Sequence, residues 1–322
     1  MIVYTGLTGS FPRSEALVRA TRDLDRGRTT PDAVEELYVS TEAEVVALER
    51  RLGFAEVTAG YLRSPDLFRA IAESWEGFTV GPLTRWLETN TFYRQPILLA
   101  PPGRSPGALA SRLPPPLRGA PAGSRIVLPG PYSLSLMLDN RSGETEPALI
   151  HRLGRLLGDE VKELSGLGFR TFFFSDPQLV VRPAEGPRAE AVVSGYRAIQ
   201  ESMNGGTVIA WTYGADARHA FALLDRLPVA AVGIDLAETE ADQLPESPGH
   251  RGLGLGVVDP RTTLEEDPAE VAKVVRTAQA RRKASTVWLG PGGPLDLLPW
   301  EPATRKLHVL PAVQRVLSEG AR

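Results

Sequence analysis

The sequence predicts a (β/α)₈ barrel, on three observations: eight short apolar runs, helical stretches between most of them, and a spacing of units that fits 322 residues. Strand–helix units of this length imply parallel strands with right-handed crossovers. An open doubly wound sheet is the alternative, but no GxGxxG sequence follows any run to mark a dinucleotide site. We therefore expect one barrel domain over residues 1–322.

Two predicted strands precede residue 60 and six follow residue 124. They are Ile2–Leu7, Ala55–Ala59, Arg125–Leu128, Thr171–Phe174, Thr207–Trp211, Val229–Ile234, Gly252–Val258 and Thr286–Leu289. Helices are predicted over 30–53, 64–76, 145–167, 187–203, 215–226, 267–283 and 302–318. The first of these has a Thr30 cap, Pro31 in the first helical position and Gly53 at its end.

Segment 77–123 interrupts the alternation between the second and third strand units. It contains an extended patch, Thr91–Ala100, and then seven prolines within 101–123. Because the regular pattern resumes afterwards, we interpret the segment as an insertion packed outside the barrel. A disordered proline-rich ligand motif is the alternative.

Composition excludes several classes of function. The net charge of −3 provides no basic field for nucleic acid or an anionic membrane. No apolar run reaches the ~18 residues of a membrane span and no signal peptide is evident, so a cytoplasmic protein is expected. With no cysteine and four histidines, we exclude disulfides, thiolate nucleophiles and cysteine-liganded zinc.

The active site of this fold lies at the carboxyl ends of the strands. Asp176, Asp235 and Asp259 each follow an apolar run and are expected to converge there. Converging carboxylates bind a cation or an amine, or transfer protons. The alternative for each is that it caps the following helix.

Four sequence stretches carry a family resemblance. They are Gly9–Arg13, Leu128–Ser133, Gly252–Asp259 and Leu289–Leu298. In this order they resemble motifs in the catalytic domain of cobalamin-independent methionine synthases, and the short archaeal type is nearest in length. That family belongs with the uroporphyrinogen decarboxylase-like barrels. The resemblance implies methyl transfer from a folate or a corrinoid to homocysteine, held as a thiolate on zinc.

The zinc ligands that the resemblance implies are missing. The two positions of the HxC pair are Ala210 and Thr212, the glutamate position is Asp235, and the last cysteine falls at about Gly292. One carboxylate alone does not hold zinc. We therefore expect no metal and no resident cofactor, while a folate or corrinoid methyl donor stays open.

Other family positions are also changed. Tyr61 and Ser175 stand where the family has the acids that hold the homocysteine amine, and Arg261 stands where it has a histidine. The family's pterin-stacking tryptophan corresponds approximately to Met137. Our candidate catalytic residues are Asp176, Tyr213, Asp235 and Arg261. Our candidate substrate-binding residues are Gly9, Ser10, Arg13, Tyr61, Arg94, Met137 and Asp259.

Three hypotheses about function follow. The first is a methyltransferase-like barrel that binds a different small ligand, expected to be anionic because acids are lost and Arg261 is gained. The second is a non-catalytic relative that acts as a ligand-binding or partner subunit, with a homo-oligomer also open. The third is homocysteine methylation for methionine biosynthesis despite the missing ligands.

Overall fold

The structure is a computed structural model that describes residues 1–64, 66–87, 89, 91–203, 205–246 and 252–319. Its strands are β1 (Ile2–Thr5), β2 (Trp75–Arg85), β3 (Phe92–Arg104), β4 (Arg125–Pro129), β5 (Asp139–Asn140), β6 (Thr171–Ser175), β7 (Thr207–Trp211), β8 (Ala231–Asp235), β9 (Gly252–Val258) and β10 (Thr286–Pro291). Seven of them form a parallel sheet in the order β1-β10-β9-β8-β7-β6-β4. The predicted α/β class is therefore confirmed.

Helices lie between the strands and after the last strand. They are α1 (Glu15–Asp25), α2 (Pro31–Arg51), α3 (Leu67–Ser74), α4 (Pro131–Met137), α5 (Glu146–Leu167), α6 (Gln178–Val181), α7 (Gly186–Glu201), α8 (Phe221–Leu224), α9 (Pro268–Arg282), α10 (Trp300–Leu307) and α11 (Val309–Glu319). No described helix combines the length and apolar character needed to cross a membrane.

The second predicted strand is reduced to a single parallel bridge, so the described barrel sheet has seven strands and no continuous ladder of eight. Within 55–59 only Val57 forms a bridge, to Ser124, and the chain then enters a 3₁₀ turn at Ala59–Tyr61. Ala59 and Tyr61 both have positive φ, 57° and 54°, which no strand residue adopts. The Glu49 carboxylate accepts the backbone N–H groups of Thr58 and Ala59, so donors that a ladder would use are bound by a side chain.

Two side chains close the seam that this missing strand leaves between β1 and β4. The guanidinium of Arg125 donates to the carbonyl oxygens of Thr5 and Leu7, at 3.4 and 3.3 Å. The hydroxyl of Tyr61 accepts the N–H of Val127 on β4. We call Arg125 and Tyr61 the seam pair. They satisfy backbone groups that a neighbouring strand would otherwise pair.

The interior of the barrel is filled by two tryptophans that face glycines. Trp211 packs with Phe173 and Trp288 in one buried cluster inside the sheet. A Cβ at Gly254 would lie 2.6 Å from Trp211, and a Cβ at Gly252 would lie 2.3 Å from Trp288. The alternating glycines of β9 therefore make room for these rings.

The insertion contains a second, smaller sheet, of which the sequence indicated one part, the extended patch Thr91–Ala100 that forms most of β3. β2 and β3 pair as an antiparallel hairpin, and β5 adds to β3, in a sheet separate from the barrel sheet. The Trp75 indole donates to Glu160 on α5 at 2.9 Å, and Arg104 binds the same carboxylate. The helix predicted to about residue 76 instead ends at Ser74, because the hairpin begins at Trp75.

Two predicted helices are broken. The 215–226 stretch is a 3₁₀ turn, Ala217–Ala220, followed by the short α8. The 302–318 stretch is α10 and α11, separated at His308. Pro311 explains this break, because it has no N–H for the carbonyl of Leu307 and its ring crowds that carbonyl.

Candidate functional site

A cavity of about 300 Å³ lies at the carboxyl ends of the parallel strands. Its walls come from the loops after β1, β7, β8, β9 and β10 and from the tip of the β2–β3 hairpin. The lining residues are Ser10, Asp66, Leu67, Trp86, Leu87, Thr89, Thr91, Phe92, Tyr93, Tyr213, Gly214, Asp235, Glu238, Pro260, Arg261, Gly293, Pro294, Asp296 and Leu297. We call this space the mouth cavity. It contains four of the predicted site residues: Ser10, Tyr213, Asp235 and Arg261.

Asp235 is the last residue of β8, and its side chain points into the barrel mouth. It is buried, and Oδ1 accepts the N–H of Ala237 at 3.0 Å. Burial raises its pKa; the charge of Arg261 lowers the pKa and that of Asp259 raises it. The carboxylate lies against Gly292, where a Cβ would approach Oδ1 to 2.5 Å. This geometry keeps position 292 free of any side chain.

Arg261 is engaged by acids on both sides. Its Nε donates to Asp259 at 2.8 Å, and Nη1 pairs with Glu238. The backbone N–H of Arg261 also binds Asp259, at 2.9 Å. The guanidinium therefore reaches the cavity with its charge already balanced.

Tyr213 joins the hairpin to the barrel. Its hydroxyl lies 3.3 Å from the hydroxyl of Ser175 and is hydrogen-bonded by the side chain of Trp86. Burial raises the pKa of Tyr213 well above that of an exposed tyrosine, so this hydroxyl stays protonated. Trp86 meets Tyr93 edge to face, with centroids 5.5 Å apart, and this contact fixes the orientation of the indole.

Asp176 is not brought into the mouth cavity. It is fully buried and accepts hydrogen bonds from the N–H groups of Ser133 and Tyr132, at 2.6 and 3.4 Å, and from the Tyr196 hydroxyl at 2.9 Å. These contacts cap the first turn of α4, which has no side-chain cap of its own. Burial raises the pKa of Asp176 to about 6.

Three predicted binding residues have structural contacts outside the lining. Tyr61 belongs to the seam pair. Arg94 has an exposed side chain, and its backbone N–H donates to Asp66 at 3.2 Å. Met137 is buried, and its sulfur accepts from Gln178 at 3.1 Å.

The remaining predicted residues lie next to lining residues of the mouth cavity. Gly9 packs on Pro294, with its Cβ position 3.5 Å from the proline Cα. Arg13 lies near enough to Asp296 for its charge to lower the pKa of that carboxyl. Asp259 stands behind Arg261 rather than in the lining.

Several lining residues were not predicted from the sequence. They are Asp66, Asp296 and the aromatic residues near the hairpin tip, Trp86, Phe92 and Tyr93. Asp296 is accessible from the cavity although protein surrounds it closely, and this burial raises its pKa against the hydrogen bond from Ser10. The available signal was its place just after the last strand, following Gly292 and Gly293. Nothing in the sequence indicates that the hairpin reaches across the barrel mouth.

The positions matched to zinc ligands do not fit a zinc site. Ala210 packs with the helices outside the sheet, while its neighbours Ile209 and Trp211 face the interior. The Thr212 hydroxyl donates to the carbonyl of Gly233 at 2.7 Å. Within the described ranges, no three His, Cys, Asp or Glu side chains come together as a metal site. Tetrahedral zinc needs three or four such ligands.

Comparison with known proteins agrees with the family that the motifs indicate. The family model of the cobalamin-independent synthase N-terminal domain matches residues 63–283, more than half of the chain. The chain belongs to the cobalamin-independent synthase family. The matched model describes that family's N-terminal domain, whereas the motifs resemble those of its catalytic domain.

Relatives of this synthase-family chain match over nearly its whole length. Methionine synthase of Sulfolobus acidocaldarius is 24% identical, covering 95% of this chain and 89% of the relative. Methionine synthase of Sulfurisphaera tokodaii is also 24% identical, covering 95% and 90%. A B12-independent methionine synthase from Shewanella sp. W3-18-1, solved with selenomethionine, has a TM-score of 0.75 at 15% identity, with 99% and 98% covered. At that identity the likeness establishes the barrel fold.

Proposed function

We propose that this member of the family binds a small ligand in the mouth cavity and does not catalyse zinc-dependent methylation of a thiol. The observation that carries the proposal is the contact of Asp235 with Gly292. A zinc-binding side chain at position 292 would need the space that the carboxylate of Asp235 occupies. Asp235 is itself the one carboxylate at a position matched to a zinc ligand. A cavity of about 300 Å³ is still present beside it, at the lower end of the ~300–1,000 Å³ typical of small-molecule sites.

The lining residues have distinct roles in this proposal. Asp235 and Asp296 have pKa values raised by burial, which favours exchange of protons with a ligand closer to neutral pH. The Tyr213 hydroxyl and the Trp86 indole position the hairpin over the ligand. We further propose that residues 1–322 act as one domain, because hairpin and barrel contribute to the same cavity.

A second candidate is homocysteine methylation, favoured by relatives named methionine synthase that match nearly the whole chain. Thermal-shift screening separates the two candidates, since a ligand that binds the folded state raises the melting temperature. The screen contains homocysteine, folates, corrinoids, other amino acids, small amines and small carboxylates. We expect a shift with a non-thiol compound that Asp235→Asn reduces. Homocysteine methylation from a methylfolate or methylcorrinoid would support the second candidate instead.

Metal content gives an independent test. We expect less than about 0.1 zinc per chain after purification, because the matched positions supply a single carboxylate. Elemental analysis of the purified protein measures this directly. A stoichiometric zinc that survives mild chelation would contradict the proposal. A protein without zinc that also binds nothing in the screen would point to a non-catalytic partner subunit.

A further inference from the structure

The charge of the mouth cavity is negative. Four lining residues carry carboxyl groups: Asp66, Asp235, Glu238 and Asp296. The single cation of the described lining, Arg261, is bound by Glu238 and by Asp259 behind it. An entering anion would therefore meet Asp66, Asp235 and Asp296, none of which forms a salt bridge with a described residue, and no free guanidinium in the described lining. Like charges repel strongly where water is scarce.

Asp296 is the carboxylate best placed to face a ligand. Asp235 already accepts hydrogen bonds from the backbone N–H groups of Ala237 and Gly214. Asp66 caps α3 by accepting the backbone N–H of Arg69 at 2.7 Å. Asp296 opens to the cavity and is hydrogen-bonded by the Ser10 side chain. Arg13 offsets part of its charge from outside the lining.

Aromatic side chains form another part of the lining. Trp86 and Phe92 both line the cavity, and both keep accessible ring surface, since Phe92 is 55% exposed and Trp86 is half-buried. Trp86 is held in place by Phe68 and Tyr93, with centroids 5.3 and 5.5 Å away. Aromatic rings attract cations through their quadrupole, tryptophan most strongly, and the attraction grows as water is excluded.

We propose that the mouth cavity binds a small organic cation, an alkylated ammonium or a protonated amine, with its charge toward Asp296 and its apolar groups against Trp86 and Phe92. This inference rests on the proposed function, since it names the ligand class of the same cavity. It reverses the anion preference that the loss of acids and the gain of Arg261 predict from the sequence.

Three compounds of nearly the same shape test the sign of the charge. Choline is the cation, 3,3-dimethylbutan-1-ol is its neutral isostere, and 3,3-dimethylbutanoate is the anion. Isothermal titration calorimetry on the full chain is expected to give choline a Kd lower than that of the alcohol by about tenfold or more, with no binding of the anion. Tightest binding of the anion would overturn the inference and leave the proposed function standing. No binding by any of the three would also overturn it, and the wider ligand screen then decides the proposed function separately.

Variants show which side chain recognises the charge. Asp296→Asn is expected to weaken choline about tenfold and leave the alcohol unchanged, whereas Trp86→Leu weakens choline more than the alcohol. Asp25→Asn removes the same charge from an exposed helix end outside the lining, and it should leave all three affinities unchanged. Melting temperatures confirm that each variant is folded. Unchanged choline binding in both folded cavity variants would contradict the inference.

Discussion

Arg125 illustrates how a single buried charge replaces part of a strand. It is 1% exposed and lies over the ring of Phe173, with its guanidinium carbon 4.6 Å from the ring centroid. Besides the carbonyls of Thr5 and Leu7, it pairs with Glu56 at 3.4 Å. A buried charge is tolerated only when partners of this kind surround it.

Arg125→Met keeps the bulk of the side chain and removes its charge and donors. We expect the free energy of unfolding to fall by about 3–5 kcal/mol, since buried carbonyls and an acid lose their partner. Urea denaturation measures the change. Arg94→Met, at an exposed side chain, is the control and should change stability by less than about 0.5 kcal/mol. An equally small change in Arg125→Met would contradict the seam assignment.

Asp176 predicts a pH dependence of stability. Burial raises its pKa from 3.8 to about 6, so between these values the folded protein keeps a proton that the unfolded chain releases. The free energy of unfolding therefore falls as pH rises through this window, by up to about 3 kcal/mol from this residue.

Asp176→Asn does not titrate and should flatten that part of the pH dependence. Urea denaturation at pH 4, 5, 6 and 7 compares the variant with the unchanged protein. Glu49, whose pKa burial raises to about 7, contributes its own fall in both proteins, so the difference isolates Asp176. Asp25→Asn should leave the dependence unchanged. Identical profiles for Asp176→Asn and the unchanged protein would disprove the prediction.

At the scale of elements, β9 depends on glycine for contact rather than for backbone freedom. The Cβ position of Gly254 is 2.6 Å from both Gly233 and Trp211. The whole strand is buried, so a methyl group there has no open space to enter. In the sequence this stretch resembles a family motif. In the structure its glycines leave space for the tryptophans inside the barrel.

Gly254→Ala should lower the free energy of unfolding by about 1–3 kcal/mol through overpacking. Gly166→Ala is the matched control, because Gly166 lies inside α5 with nothing within 4 Å of its Cβ position. That substitution should raise stability by about 0.5–1 kcal/mol. Chemical denaturation of both variants tests the pair. The same sign of change in both would contradict the packing argument.

The predicted helix bounds agree with the structure where capping residues mark the helix ends in the sequence. α2, α5 and α9 begin after Thr30, Thr145 and Asp267 and match their predicted ranges within two residues. The composition of residues 55–59 favours a strand, but only Val57 forms a bridge there. The hydrogen bonds of the Glu49 carboxylate to Thr58 and Ala59 outweigh the local preference. Such a contact is invisible to periodicity, which reports only which face of an element is apolar.

At the scale of the whole molecule, the hairpin and the barrel are two sheets joined at the cavity. Tyr213 connects them through Trp86 on the hairpin side and Ser175 on the barrel side. Loss of this hydroxyl should loosen the hairpin tip without disturbing the parallel sheet.

Tyr213→Phe should cost about 1 kcal/mol and speed hydrogen exchange in the hairpin, while exchange in β6 to β8 stays slow. Hydrogen–deuterium exchange read by mass spectrometry measures both regions. Tyr4→Phe keeps the stacking on Trp288 at 5.5 Å and serves as the control. Faster exchange throughout the barrel strands would mean that the hydroxyl supports the core instead of the hairpin.

The candidate site was predictable only in part. Ser10, Tyr213, Asp235 and Arg261 were found because strand ends of a parallel barrel meet at one mouth. Asp176 was expected beside them, but its carboxylate turns to the N–H groups of α4. The partners of Arg261 reverse the charge that its presence alone predicts, since Glu238 and Asp259 neutralise it.

The sequence by itself determined the parallel α/β barrel, its family and most of its helices, because these depend on periodicity, caps and motif order within short stretches. Only the tertiary structure decided how the barrel closes, where the insertion lies and what charge the cavity presents. Those features depend on side chains far apart in the chain, such as Arg125 reaching Thr5 and Trp86 reaching Tyr213. These features are stabilised by buried hydrogen bonds and ion pairs between specific side chains. Such contacts form only when the chain has folded.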